Sequence, residues 1–148
     1  MIVALMAGCC LSVMAQSWLP FKERAAGQAE WKKHEAVALL DSTGVVVADN
    51  GSGSFTIRQV VQVKNKAGAL KYRVIKYDYD PLTAFAEFSR ATVYKADGSQ
   101  RTIDVAQACD YAAPARAIYW GARQIMLEIG ALDAGDIIDY EISKKGFT

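Results

Sequence analysis

Few side chains in this sequence could make or break bonds. Among 148 residues there is one histidine, His34, and three cysteines, Cys9, Cys10 and Cys109. Cys109 beside Asp110, brought to His34 by folding, would supply a thiol nucleophile and a base. A thiolate needs positive surroundings and Asp110 offers the opposite charge, so Cys109 reads as a small buried thiol and His34 as an exposed or strand-start residue. Asp78, Asp80 and Asp97 carry the hard oxygens that calcium takes, but their spacing is not that of an EF-hand loop. Asp80 before Pro81 and Asp97 before Gly98 are more simply turn formers. Glu87, Glu128 and Glu141 could pair for glycoside hydrolysis, although strands routinely present such residues to solvent. There is no glycine-rich phosphate loop and no metal-ligand spacing. The expectation is a chain with no catalytic residue, no metal and no cofactor.

Recognition is a better fit than catalysis for one stretch. Tyr111, Tyr119 and Trp120 stand close in sequence to Arg116 and Arg123. These residue types dominate binding hot spots and stack on sugar or peptide groups. The competing reading has the aromatics closing a core and the arginines pairing with nearby carboxylates. Both stay open at the level of sequence.

The elements that would position these residues are strands. From Glu35 onward short apolar runs alternate with turn residues, the pattern of antiparallel sheet. Ala36 to Asp41 and Val45 to Ala48 flank Ser42-Thr43-Gly44 as a hairpin, followed by a loop over 49–53. Phe55 to Lys64 alternates cleanly, turns at Asn65-Lys66-Ala67-Gly68, and returns as Leu70 to Tyr79 until Pro81 stops it. Phe85 to Lys95 meets Arg101 to Val105 across Asp97-Gly98. After an irregular stretch, 109–117, come Ile118 to Trp120, Gln124 to Ile129 and Ile137 to Ser143. The fold class is all-β, an antiparallel β-sandwich. Before it, Ser17 to Lys33 favours a short helix that Pro20 and Gly27 interrupt.

Composition agrees. A chain of this length forms one domain, and 52% hydrophobic with 22% charged residues supports a packed core rather than disorder. A net charge of +1, with the signs scattered, excludes nucleic acid as an evident partner.

Residues 1–15 contain no charge and read as an apolar signal segment, too short to span a bilayer, with cleavage before Gln16. The missing basic start places the true start codon upstream of Met1. Met6-Ala7-Gly8-Cys9 is a competing lipobox, in which a lipid on Cys9 would be the one tie to a membrane. Either reading exports the chain to the periplasm or cell surface. The domain reading is therefore 1–15 signal peptide, 16–34 polar linker or short helix, and 35–148 β-sandwich.

Three stretches together suggest a family. Tyr77-Asp78-Tyr79-Asp80-Pro81, then Ala91 to Gly98, then Leu132-Asp133-Ala134-Gly135-Asp136-Ile137-Ile138-Asp139-Tyr140-Glu141 resemble a bacterial domain of unknown function. That domain stands immediately N-terminal to transglutaminase-like domains in exported multidomain proteins. The resemblance runs from Glu35 to Thr148. It implies a noncatalytic β-sandwich accessory module whose partner is the downstream papain-like domain. It also implies that the module continues past Thr148 and that this chain is a fragment. The alternative function is a carbohydrate- or peptide-binding β-sandwich at the cell envelope.

Overall fold

Alternating apolar and polar side chains from Ala36 onward leave the backbone one way to bury the apolar half, which is to pleat and stack. The computed structural model describes residues 19–113 and 121–147. Helix α1 (Leu19–Gly27) and a 3-10 turn (Ala29–Lys33) precede β1 (Ala36–Val47) and β2 (Ser52–Val63). Helix α2 (Lys66–Lys71) then leads to β3 (Val74–Tyr79), β4 (Ala84–Tyr94), β5 (Gln100–Thr102), β6 (Cys109–Ala112), β7 (Arg123–Glu128) and β8 (Ile137–Phe147). The described strands form two antiparallel sheets, ordered β1-β2-β8-β4-β5 and β3-β7-β6. The fold class is the all-β sandwich that the periodicity implies.

The principal core lies between the sheets. Val63, Phe88, Val93, Ile138 and Ile142 from the larger sheet meet Ile75, Ile125 and Leu127 from the smaller one. Each fully buried side chain of this kind contributes on the order of 1.5–3 kcal/mol. The outer face of the larger sheet has a second, smaller core, in which Ala25 of α1 covers Leu39, Val60 and Ile137 and Trp31 packs alongside. Pro20 lies in the first turn of α1 and Gly27 ends it. They bound the helix rather than interrupt it, because the first-turn amide needs no partner within the helix.

Three assignments from sequence are corrected, one being the stretch from Cys109 read as irregular, whose first four residues form β6. β1 runs unbroken through Ser42-Thr43-Gly44, each paired with β2 (Ser42 with Arg58, Gly44 with Thr56). The hairpin bend is at Asp49-Asn50-Gly51, where Gly51 takes φ +81°. β2 and β3 do not form a hairpin, since β2 pairs with β1 and β8 while β3 pairs with β7 in the other sheet. Asn65 accepts a hydrogen bond from Gly68 N at 3.0 Å, so it caps α2 instead of starting a turn. α2 carries the chain from one layer to the other, pressed so close that a Cβ on Gly68 would lie 2.0 Å from Glu35 O.

β8, the last strand in sequence, is the centre of the larger sheet, paired along its length with β2 and β4. Its start is locked to the β4–β5 hairpin. Asp136, wholly buried, accepts from Lys95 Nζ at 2.6 Å, from Asp133 N at 2.8 Å and from Ala96 N at 3.3 Å. Two of the three stretches carrying the family resemblance, 91–98 and 132–141, are thus joined by one carboxylate.

Candidate functional site

Sheet pairing decides which of the sequence candidates meet. β6 and β7 form a hairpin with Asp110 opposite Ile125, Tyr111 opposite Gln124 and Ala112 opposite Arg123. β3 on the far side of β7 sets Tyr79 opposite Arg123 and Asp78 opposite Gln124. Tyr111 therefore shares a face with Gln124 and Asp78, and Arg123 lies on the opposite face with Asp110 and Tyr79. Trp120, Tyr119 and Arg116 lie outside the described residues.

Arg123 is committed to Asp110. Its Nε lies 3.0 Å from both carboxylate oxygens, and its Nη2 donates to Asp110 O at 3.1 Å. Tyr79 OH donates to Asp110 Oδ2 at 2.8 Å. Asp110 holds the Arg123 guanidinium above its ordinary range. Burial, with the bond to Asp110 second, raises the Tyr79 phenol. For Arg123, then, pairing with a nearby carboxylate is the reading that the geometry fits. Tyr111 is 52% exposed. A hydrogen bond with Cys109, two residues earlier on the same side of β6, raises its phenol. One face of this hairpin thus carries the open Tyr111 ring with the Cys109 thiol, and the other carries the mutually neutralised Asp110–Arg123 pair.

The other candidates are dispersed. Cys109 is not the buried thiol expected from sequence but is exposed on the wall of a cleft between β4 and β6, and its Sγ lies 3.7 Å from Gln107 O. His34 lines a separate cavity of about 270 Å³ with Lys33, Lys71 and Tyr72. Asp80 Oδ1 accepts from Leu82 N at 2.9 Å, a turn contact. Asp97 Oδ1 accepts from Ser99 N at 2.8 Å and Ser99 Oγ at 2.6 Å, and the hydroxyl bond foremost lowers its carboxyl from the usual range. Asp78 Oδ1 takes Gln124 Nε2 at 2.5 Å. Among the described residues no cluster of three or more His, Cys, Asp or Glu side chains is arranged to hold a metal ion. Glu128 faces Arg73 on the smaller sheet and Glu141 faces Arg90 on the larger.

The strongest charge arrangement was not among the sequence candidates. Asp139, wholly buried on the outer face of β8, accepts from Arg58 Nε at 3.0 Å and Nη2 at 2.8 Å, and from Arg90 Nη2 at 3.3 Å. The Arg58 guanidinium is raised chiefly by that bond. Such a fork on a buried carboxylate fixes β2 and β4 against β8. The only signal in sequence was an aspartate inside an apolar strand, Ile137-Ile138-Asp139-Tyr140.

Comparison with known proteins agrees with this geometry at the level of fold. A crystal structure described as that of "a putative protease" from Parabacteroides distasonis superposes with a TM-score of 0.61 at 17% identity, over 76% of this chain and 23% of that one. This chain therefore spans under a quarter of that protein. The CBM3a-L domain with flanking linkers from the scaffoldin cipA of the Clostridium thermocellum cellulosome gives a TM-score of 0.44 at 10% identity, over 76% of this chain and 68% of that one. The comparison with curated proteins returned no match. Among the described residues no helix is long and apolar enough to cross a membrane. Residues 49–148 match the family described as a domain of unknown function with a solved structure, so the chain belongs to the DUF3857 family.

Proposed function

We propose that this chain is a noncatalytic, exported accessory module that positions a downstream transglutaminase-like domain in the periplasm or at the cell surface. The observation that carries the reading is its fold likeness to 23% of a much larger protein described as a putative protease. The satisfied polar groups add support. Asp110, Asp136 and Asp139 are each held by named donors and do structural work. The test is the genomic sequence beyond Thr148. An in-frame domain with Cys, His and Asp in papain-like order is expected, and a stop codon there overturns the proposal. Turnover of an amide or glycoside by this polypeptide alone would overturn the noncatalytic part.

A second reading, a carbohydrate- or peptide-binding module, rests on the exposed Tyr111 ring. Retention on a glycan or peptidoglycan column, lost in Trp120→Ala and Tyr111→Ala, supports it. Failure of the unaltered protein to be retained ends it. Lipidation of Cys9 would add a membrane tether to either reading, which mass determination of the mature N-terminus checks.

A further inference from the structure

The two sheets differ in extent, and among the described residues the difference leaves a strand edge uncovered. β4 pairs with β8 from Ala84 to Tyr94, but with β5 only from Thr92 to Tyr94. One further bond, Ile103 N to Ala91 O at 2.9 Å, extends that side. From Phe85 to Arg90 no backbone partner among the described residues meets it. β6 pairs with β7 and presents its own other edge.

A cleft of about 330 Å³ separates these two edges. Its walls take four consecutive residues of β4, Phe85 to Phe88, and three around β6, Ala108 to Asp110. Successive strand residues point to opposite faces, so a wall that includes every residue of a run is built by the strand's edge and its unpaired amides. Phe88 and Ile125 give the cleft an apolar floor. Asp110 is already satisfied by Tyr79 and Arg123. Glu87, exposed on the same wall, has no hydrogen-bond or ion-pair partner among the described residues. A bulge at Ser89, between Phe88 and Arg90, bends β4 at the end of the open stretch.

We propose that this cleft binds an extended peptide that adds as a strand to the free edge of β4, placing an apolar side chain over Phe88 and Ile125 and a lysine or arginine against Glu87. The unpaired amides supply affinity without regard to sequence, and the apolar floor and the lone carboxylate supply the preference. A partner peptide fits better than a second copy of this chain. The exposed edge of β1, Gly44 to Val47, brings no cation to Glu87. The proposal goes beyond the accessory role and stands whether or not a further domain follows.

The probe is a short fluorescein-labelled peptide of alternating valine and lysine with a central phenylalanine, titrated into the protein by anisotropy. Saturable binding below about 1 mM is expected, weakened about tenfold in Glu87→Lys and in Ala106→Trp, which fills the rim from an exposed position. Both variants are checked for fold by circular dichroism. Backbone amide shifts should centre on Phe85 to Phe88. N-methylation of alternate peptide amides should abolish binding in one register and spare it in the other. Equal binding of both methylated peptides, shifts centred on Gly44 to Val47, or no saturation would overturn the proposal. Self-association abolished by Glu87→Lys would assign the edge to a second copy and overturn it too.

Discussion

Asp139 shows what one residue decides here. It has no exposure, and both of its carboxylate oxygens are held by arginines from neighbouring strands. Asp139→Ala leaves Arg58 and Arg90 facing each other over an apolar gap, at an expected cost of about 2–4 kcal/mol in urea unfolding. Arg58→Met with Arg90→Met and Asp139→Leu should recover most of it, since a buried charged cluster is replaceable by packed hydrophobes. Tyr140, whose hydroxyl donates to Gln59, carries a separate pH dependence. Burial raises its phenol from the ordinary 10.0 to about 12. The unfolded chain gives up this proton first, so the stability is intact below the unfolded value and is lost as pH rises toward the folded one. The loss should be on the order of 1–3 kcal/mol, the full linkage value being ~2.7. Urea midpoints of the protein and of Tyr140→Phe across that range check it, with the variant expected to be flatter. Asp139 was not legible beforehand. A charged residue in an alternating strand reads as solvent-facing, and the arginine that makes Asp139 tolerable lies 81 positions away.

At the scale of elements most strands were legible, and apart from the β4–β5 hairpin their partners were not. Alternation in Phe55 to Val63 and Ala84 to Tyr94 marks strands directly, because side-chain period follows from backbone pleat alone. Pairing is a property of distant segments. Asn65 to Gly68 satisfies the rules for a turn and for a helix cap equally well, and the outcome is set by Gly68 fitting against Glu35 O. Two small residues therefore act as contact points between elements. A Cβ on Gly146 would lie 2.3 Å from Thr83 O and 2.8 Å from Ala84 Cα. Gly146→Ala should cost about 1–3 kcal/mol and raise amide exchange selectively at the start of β4, while exchange in β7 stays unchanged. Lys95→Met should loosen the β4–β5 hairpin in the same assay, because Asp136 would keep its backbone donors and lose its counter-charge.

For the whole molecule, burial is divided between two cores of unequal size. Removing the chain through Lys33 would strip Ala25 and Trp31 from Leu39, Val60 and Ile137. Such a protein should bind a hydrophobic dye and melt several degrees lower, on the order of 3–5 °C per kcal/mol for a domain of this size. The far end of β1 presents Val45, Val46 and Val47 on an outer strand, with Val46 70% exposed. An edge of this kind invites pairing between chains. Val46→Lys should lower any sedimentation-detected association without shifting the melting temperature. One arrangement has a consequence for biosynthesis. The ribosome delivers residues in order, and the middle plank of the larger sheet is delivered after all the planks it joins. The β1–β2 ribbon and β4 must therefore wait, half satisfied, until residues 137–147 emerge. Nascent chains stalled before that point should be substrates for holding chaperones and proteases, and chains released after it should not.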